Sequence, residues 1–271
     1  MASTRIQVMS DLHLESPAAY DVFKISPKAP FLALLGDIGY VQDDGFFPFL
    51  RNQLASFKIV FLVLGNHEPY HSSWVEAKAN VKRFEAEIDE AIQKGETLGK
   101  LVLLDQTRYD ISETVTVLGC TLFSRIAGDQ MDHVNFGLND FYLIGDWSVE
   151  AHNDAHLADL TWLNEQVASI STSEPNRKIV VFTHYCPVVC DKVIDPKFAG
   201  SKISSGFMTN LACQKCWESE AVKIWAFGHT HWNCEFTDMA TGKTVMANQR
   251  GYYFAQSAGF DEHKVVEIQD C

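Results

Sequence analysis

Short apolar runs alternate with amphipathic stretches along the chain. Residues 6–9 (IQVM), 31–35 (FLALL), 59–64 (IVFLVL), 179–182 (IVVF) and 224–227 (IWAF) are apolar at nearly every position. Runs this short predict strands buried on both faces, as in a sheet covered on two sides. Residues 114–123 (TVTVLGCTLF) start with period-two alternation, which predicts a half-exposed strand that then turns apolar. Residues 243–248 and 264–268 predict two more strands. From 74 to 93, Ala77, Val81, Phe84, Ile88, Ala91 and Ile92 recur at helical spacing, and Ser73 with Glu76 has the form of a capping box. A second helix is expected over 154–170, burying Leu157, Leu160, Leu163, Val167 and Ile170. A third is expected over 46–56, with Pro48 tolerated in its first turn. Residues 124–147 and 187–210 lack periodicity and read as long loops of the kind that carry function.

The residues just past each buried strand carry the chemistry. The first strand runs into Asp11 and His13, the second into Asp37, the third into Asn66, His67 and Glu68, the fourth into His184, and the fifth into His229 and His231. Strand carboxyl ends are where open α/β sheets hold ligands. In extended chain, the i, i+2 spacing of Asp11/His13 and His229/His231 turns each pair to one side. Gly36, Gly65 and Gly228 allow backbone to crowd the site. Imidazole, carboxylate and amide donors suit borderline-to-hard divalent ions: manganese first, with iron, zinc, magnesium or nickel as alternatives. Five histidines, two aspartates and Asn66, eight candidates without Glu68, exceed the needs of one ion, so two ions sharing a carboxylate are implied.

The chain has 271 residues, which suits a single α/β domain over 1–271. A net charge of −13, from 22 basic and 35 acidic residues, disfavours duplex nucleic acid as a partner and leaves a small anion drawn to local positive charge. The N-terminus has no apolar signal segment and no run spans a membrane, so a cytoplasmic protein is expected. Seven cysteines without an export signal read as reduced thiols; Cys213 and Cys216 have CxxC spacing, open to structural zinc or to two ordinary thiols.

The series DLH (11–13), GDIG (36–39), GNHE (65–68), the His of THYCP (183–187) and GHTH (228–231) resembles the calcineurin-like metallophosphoesterase superfamily, in order, from Ile6 to His231. The resemblance implies an α/β fold of two mixed sheets packed face to face with outer helices, an α/β/β/α sandwich. It implies one ion held by Asp11, His13, Asp37 and His231, a second held by Asp37, Asn66, His184 and His229, and His67 as the acid–base histidine. Two such ions hold a hydroxide for in-line attack on phosphorus. The block after Asp37 lacks the arginine motif of the protein phosphatases, and GNHE differs from the GNRD of the lipid-A pathway hydrolases. The small single-domain branch remains, so the expected activity is hydrolysis of a small nucleotide-like or cyclic phosphodiester. A phosphomonoesterase is the alternative, and a metal-free interaction module on the same fold is the minor one. Candidate substrate contacts are Asn66, His67, His133, Asn139, Asp140 and Arg250, the last equally readable as a surface salt bridge. His71 reads as a supporting residue or a helix start, and Tyr252 and Tyr253 as core residues or base-stacking rings. The oligomeric state is left open.

Overall fold

The computed structural model describes residues 3–269. Its strands are β1 (Ser3–Met9), β2 (Phe31–Leu35), β3 (Ile59–Val63), β4 (Lys100–Leu103), β5 (Thr107–Asp110), β6 (Val115–Cys120), β7 (Lys178–Thr183), β8 (Val222–Phe227), β9 (Cys234–Thr237), β10 (Thr244–Ala247), β11 (Gly251–Tyr252), β12 (Ala255–Gln256) and β13 (Val265–Gln269). Its helices are α1 (Phe46–Leu54), α2 (Trp74–Gln93), α3 (Met131–Gly137), α4 (Asp140–Leu143), α5 (Val149–Ser173) and α6 (Lys215–Glu218).

One large sheet has the order β13-β1-β2-β3-β4 and the other β5-β6-β7-β8-β10-β9, while β11 and β12 form a separate two-stranded hairpin. Strands β1 to β4 are parallel, as are β6, β7, β8 and β10, while β13, β5 and β9 pair antiparallel at the edges. The sheets are therefore mixed, and strand alternation sorts their side chains into three layers. Ile6, Val8, Leu35 and Phe61 of one sheet meet Val117, Val180, Phe182 and Ile224 of the other. The opposite face of the first sheet, with Leu32, Leu34 and Leu62, packs on α1 and α2 through Phe49, Val81 and Ile88. The opposite face of the second, with Leu118, Val181 and Trp225, packs on Leu163, Val167 and Ile170 of α5. This is the α/β/β/α sandwich, and it explains why the central strands are apolar at nearly every position.

Three expectations need correction. Strand β6 is buried along its whole length, because both of its faces carry a core. Its alternating threonine, Thr116, is satisfied inside by donating to Asp110 Oδ1 at 2.7 Å. Helix α5 begins at Val149, capped by Ser148, whose hydroxyl accepts from Ala151 N at 3.2 Å. Its buried stripe is His152, His156, Asp159, Leu163, Val167 and Ile170, and Leu157 is 63% exposed. The polar half of that stripe grips the chain after β6: Asp159 accepts from Leu122 N and His156 Nδ1 lies 2.9 Å from Leu122 O. Finally, 124–147 is no bare loop. It folds as α3 and α4, and Val134 and Leu138 pack on Ile203 of the 187–210 segment.

Candidate metal centre and adjoining cavity

Strands β1, β2 and β3 of one sheet and β7 and β8 of the other deliver the eight candidate residues to the same end of the sandwich. The chain turns sharply there. Asp11, His13, Asp37, His229 and His231 all have left-handed φ, between 46° and 70°. Extended spacing is thus not what aligns the i, i+2 pairs; left-handed turns do. Asp, Asn and His tolerate that region better than most side chains, at a cost of about 1–3 kcal/mol each. Gly36, at φ +88°, has no such penalty, and a Cβ there would stand 2.5 Å from His184 Nδ1. A Cβ on Gly65 would stand 2.3 Å from Asp37 Oδ1.

Three clusters of possible donors result among the described residues; one of them, His13 with Glu15 and His67, joins the His67 ring to the edge of the centre, and the other two form its body. In the first of those two, His231 Nε2 lies 3.2 Å from Asp11 Oδ1 and 3.0 Å from His13 Nε2. In the second, Asp37, His184 and His229 offer ligand atoms within 4.8 Å of one another. Asn66 Oδ1 joins them, 3.1 Å from His184 Nε2. Asp37 sits between the groups: Oδ1 is 3.5 Å from His184 Nε2 and Oδ2 is 3.9 Å from His13 Nε2. His67 faces the same carboxylate, its Nε2 4.0 Å from Asp37 Oδ2.

Supporting contacts orient these atoms. His184 Nδ1 lies 2.8 Å from Leu35 O, so the Nδ1 proton is bound there and Nε2 keeps its lone pair toward the centre. Burial lowers His13 and His184 to about 4, and lowers His229 well below the usual imidazole value with help from His184. These rings are neutral near pH 7, the state a metal ligand needs. Asp11 is buried, which opposes ionisation, yet the hydrogen bond and charge of His231 hold it well below the carboxylate range. Asp37 is driven well above that range by burial and by Glu68 and Asp11. Glu68 is raised to about 7 by burial while accepting from Asp37 N, Ile38 N and Gly65 N. Carboxylates crowded this way with neutral imidazoles form a donor set that divalent cations fit, in ligand type and in charge.

Several partners were not legible in the sequence. Glu15 Oε1 accepts from His13 Nδ1 at 3.0 Å and from His67 Nδ1 at 2.9 Å. Burial opposes its ionisation, but those two hydrogen bonds hold it down at about 2. Its only signal was its place two residues after His13. Tyr252 is partly exposed, stacks on His13 at 4.1 Å between ring centres and brings its hydroxyl to 3.2 Å from His67 Nε2. Tyr253 is about half exposed and lies beside Arg250.

The expected substrate contacts divide. Asn66, His67, Asn139 and Asp140 line a cavity of about 350 Å³ that opens beside Asp37, His229 and His231. Asp140 is buried and engaged: Oδ1 accepts from Asn66 Nδ2 at 2.8 Å and from Tyr70 Oη at 2.6 Å. It is a holder of Asn66 rather than a free contact. His133 is exposed on α3 and is not part of the cavity wall. Arg250 is neither a cavity contact nor a surface salt bridge. It is buried, donates to Leu12 O at 2.8 Å and lies 4.9 Å over the Phe23 ring. His71 sits ahead of α2, edge-on to Tyr40. Among the described residues, no group able to hold a metal contains a cysteine, and Cys213 is exposed while Cys216 is buried.

A carboxylate set between two histidine-bearing donor groups, at one end of a two-sheet sandwich, defines a candidate two-ion metal centre. The chain belongs to the calcineurin-like phosphoesterase family, whose profile matches residues 4–233. It is accordingly a metal-dependent phosphoric ester hydrolase by family. An uncharacterised protein of Acanthamoeba polyphaga mimivirus is 24% identical, over 97% of this chain and 96% of its own. Two solved structures share the fold. The phosphopantetheinyl hydrolase of Mycobacterium tuberculosis has TM-score 0.63 and 16% identity, covering 93% of this chain and 90% of its own. A dimetal phosphatase from Danio rerio has TM-score 0.51 and 13% identity, covering 92% and 88%.

Proposed function

We propose that this chain is a dimetal phosphodiesterase that hydrolyses a small nucleotide-like or cyclic phosphodiester, with manganese as the working metal and all of 1–271 as its domain. Asp11, His13, Asp37 and His231 would hold one ion, and Asp37, Asn66, His184 and His229 the other. Two divalent ions supply a nucleophile at neutral pH and Lewis-acid charge for the phosphoryl oxygens. Asp37, which lies between the two groups, would be the carboxylate shared by both ions. Leu35 O and Asp140 keep His184 and Asn66 aimed inward. His67 stands outside both donor groups. Glu15 holds its Nδ1, so its Nε2 is the atom that delivers a proton to the leaving oxygen.

The preference for diesters rests on one observation. None of the described residues lining the cavity is a lysine or arginine. A monoester dianion carries an extra charge that ordinarily calls for such groups, while a diester monoanion is served by the ions alone. The test compares bis-p-nitrophenyl phosphate with p-nitrophenyl phosphate under saturating manganese. Diester turnover is expected to be at least equal; monoester turnover higher by about tenfold or more, some 1.4 kcal/mol in barrier, overturns the reading. Metal analysis of active protein is expected to return two ions per chain, and Asp37→Ala to lose nearly all turnover.

A further inference from the structure

We propose that the cavity beside the metal centre is a subsite for one uncharged planar ring on the phosphoester, aryl or nucleobase in kind, and that it excludes a second anionic group. The proposal rests on the phosphodiesterase reading and adds what the ester must carry.

The wall is built by the two aperiodic segments. Leu138 comes from the end of α3; Ile194, Phe198, Ile203 and Phe207 come from the chain between β7 and α6. The segments are tied to each other, so the wall is part of the fold. Gln130 Oε1 accepts from Ser205 N at 2.9 Å, Ser205 Oγ accepts from Ala127 N at 3.1 Å, and Thr209 Oγ1 accepts from Arg125 N at 2.7 Å. Ile203 packs on the cluster of Val134 and Leu138.

Three rings give the cavity flat faces. Phe207 lies nearly parallel to His229, 4.8 Å between centres and 26° between planes. Phe198 lines the wall while 49% exposed, and Tyr252 lines it at 41%. Apolar rings held at the mouth of a polar centre gain free energy only when something apolar covers them. Their faces suit stacking of a planar group. The volume of about 350 Å³ fits a phosphate with one ring system and little more.

Charge points the same way. Lys197 does approach, 4.8 Å from the Phe198 ring centre, but its ammonium is bonded to Asp195 at 2.7 Å. The chain as a whole is acidic, at −13. A second phosphate or a carboxylate in this cavity would be desolvated with no cation to meet it.

The experiment uses the manganese-loaded protein and phosphorothiolate diesters that share a ring-free S-ethyl leaving group, with methyl, phenyl, thymidine-5′ or 2-carboxyethyl as the second ester group and ethanethiol release followed by chromatography. Each rate is divided by that ester's uncatalysed hydrolysis. The expected kcat/KM is about 10–100-fold higher for the phenyl and thymidine esters than for methyl, and lower for carboxyethyl than for methyl. Calorimetric titration with phenylphosphonate and methylphosphonate is expected to give the same order without turnover. Phe198→Ala should shrink the phenyl-to-methyl ratio, and Ile194→Lys should raise the carboxyethyl ester relative to phenyl. If all four esters turn over within a factor of about three, the subsite is overturned while the phosphodiesterase reading stands. If none turns over and p-nitrophenyl phosphate does, the phosphodiesterase reading is the one that falls. A thymidine ester that gains while the phenyl ester does not restricts the subsite to nucleobase recognition and overturns the apolar-ring argument.

Discussion

His67 is the residue whose neighbours say most about its task. One ring nitrogen is bound to Glu15 at 2.9 Å, and the other is 3.2 Å from the Tyr252 hydroxyl and 4.0 Å from Asp37 Oδ2. It belongs to neither the Asp11–His13–His231 nor the Asp37–His184–His229 group, but forms a third cluster with His13 and Glu15. A proton donor matters in proportion to how badly the leaving oxygen needs the proton. His67→Ala should therefore retain two ions per chain and lose about 10²–10⁴-fold on a nucleotide diester. The loss on an activated nitrophenyl ester should be clearly smaller. Parallel kinetics on both substrates with metal analysis is the check; equal losses would leave His67 only a hydrogen bond to phosphate. Glu15 explains why the ring is poised, since a carboxylate on Nδ1 settles which nitrogen faces the cavity.

Turns and helix ends do the positioning at the scale of elements. The β2 turn needs Gly36, because its φ is +88° and His184 Nδ1 stands where a Cβ would go. Gly36→Ala should cost about 1–3 kcal/mol from the backbone alone, visible as a lower urea midpoint. It should also weaken metal binding by pushing His184 off Leu35 O. A variant with unchanged metal stoichiometry, affinity and midpoint would show that the turn relaxes freely. At the far end of the second sheet, buried Lys243 donates its ammonium to Trp217 O and lies 4.8 Å over the Trp217 ring, tying α6 to β10. Burial lowers its pKa from 10.5 to about 8. Between those two values the unfolded chain binds the proton and the folded protein does not. Lys243 therefore makes stability rise with pH across that window. Relative to Lys243→Met, the natural chain should gain about 1–3 kcal/mol from pH 8 to 10.5 in denaturant titrations. A flat difference would mean that Lys243 keeps its proton when folded.

At the scale of the molecule, one end of the sandwich gathers candidate ligands from five strands of two sheets, so ions bound there would couple the sheets to each other. An ion at a hundred times its dissociation constant adds about 2.7 kcal/mol to stability. For a chain of this size that is about 5–10 °C in melting temperature per ion. Chelation should lower the melting temperature by at least that much, and manganese should restore it. An unchanged melting curve with demonstrated loss of metal would contradict a centre shared between the sheets. Among the described residues no helix is long and apolar enough to cross a membrane.

Much of this protein was legible before folding. Buried strands declare themselves by apolar runs, and the candidate residues of the centre stand at fixed chain distance from those runs, so the candidates from Asp11 to His231 that the structure gathers at one end of the sheets could be listed from the sequence. Ser73 was equally local, and it caps α2 by accepting from Glu76 N at 3.2 Å. Tertiary structure decided what no local pattern encodes. His152, His156 and Asp159 hid the true start and stripe of α5, because polar residues that bind buried backbone look like an exposed face in the sequence. Arg250 read equally as an anion contact or a surface salt bridge, yet it is buried and donates to the Leu12 carbonyl. Asp140 became a holder of Asn66 only because α4 lies 74 positions away in sequence and beside it in space. Glu15 reaches His67 across 52 positions, and the cavity wall joins two stretches without periodicity. Periodicity and spacing report bonds between near neighbours along the chain; which distant side chains meet is set by how the layers pack.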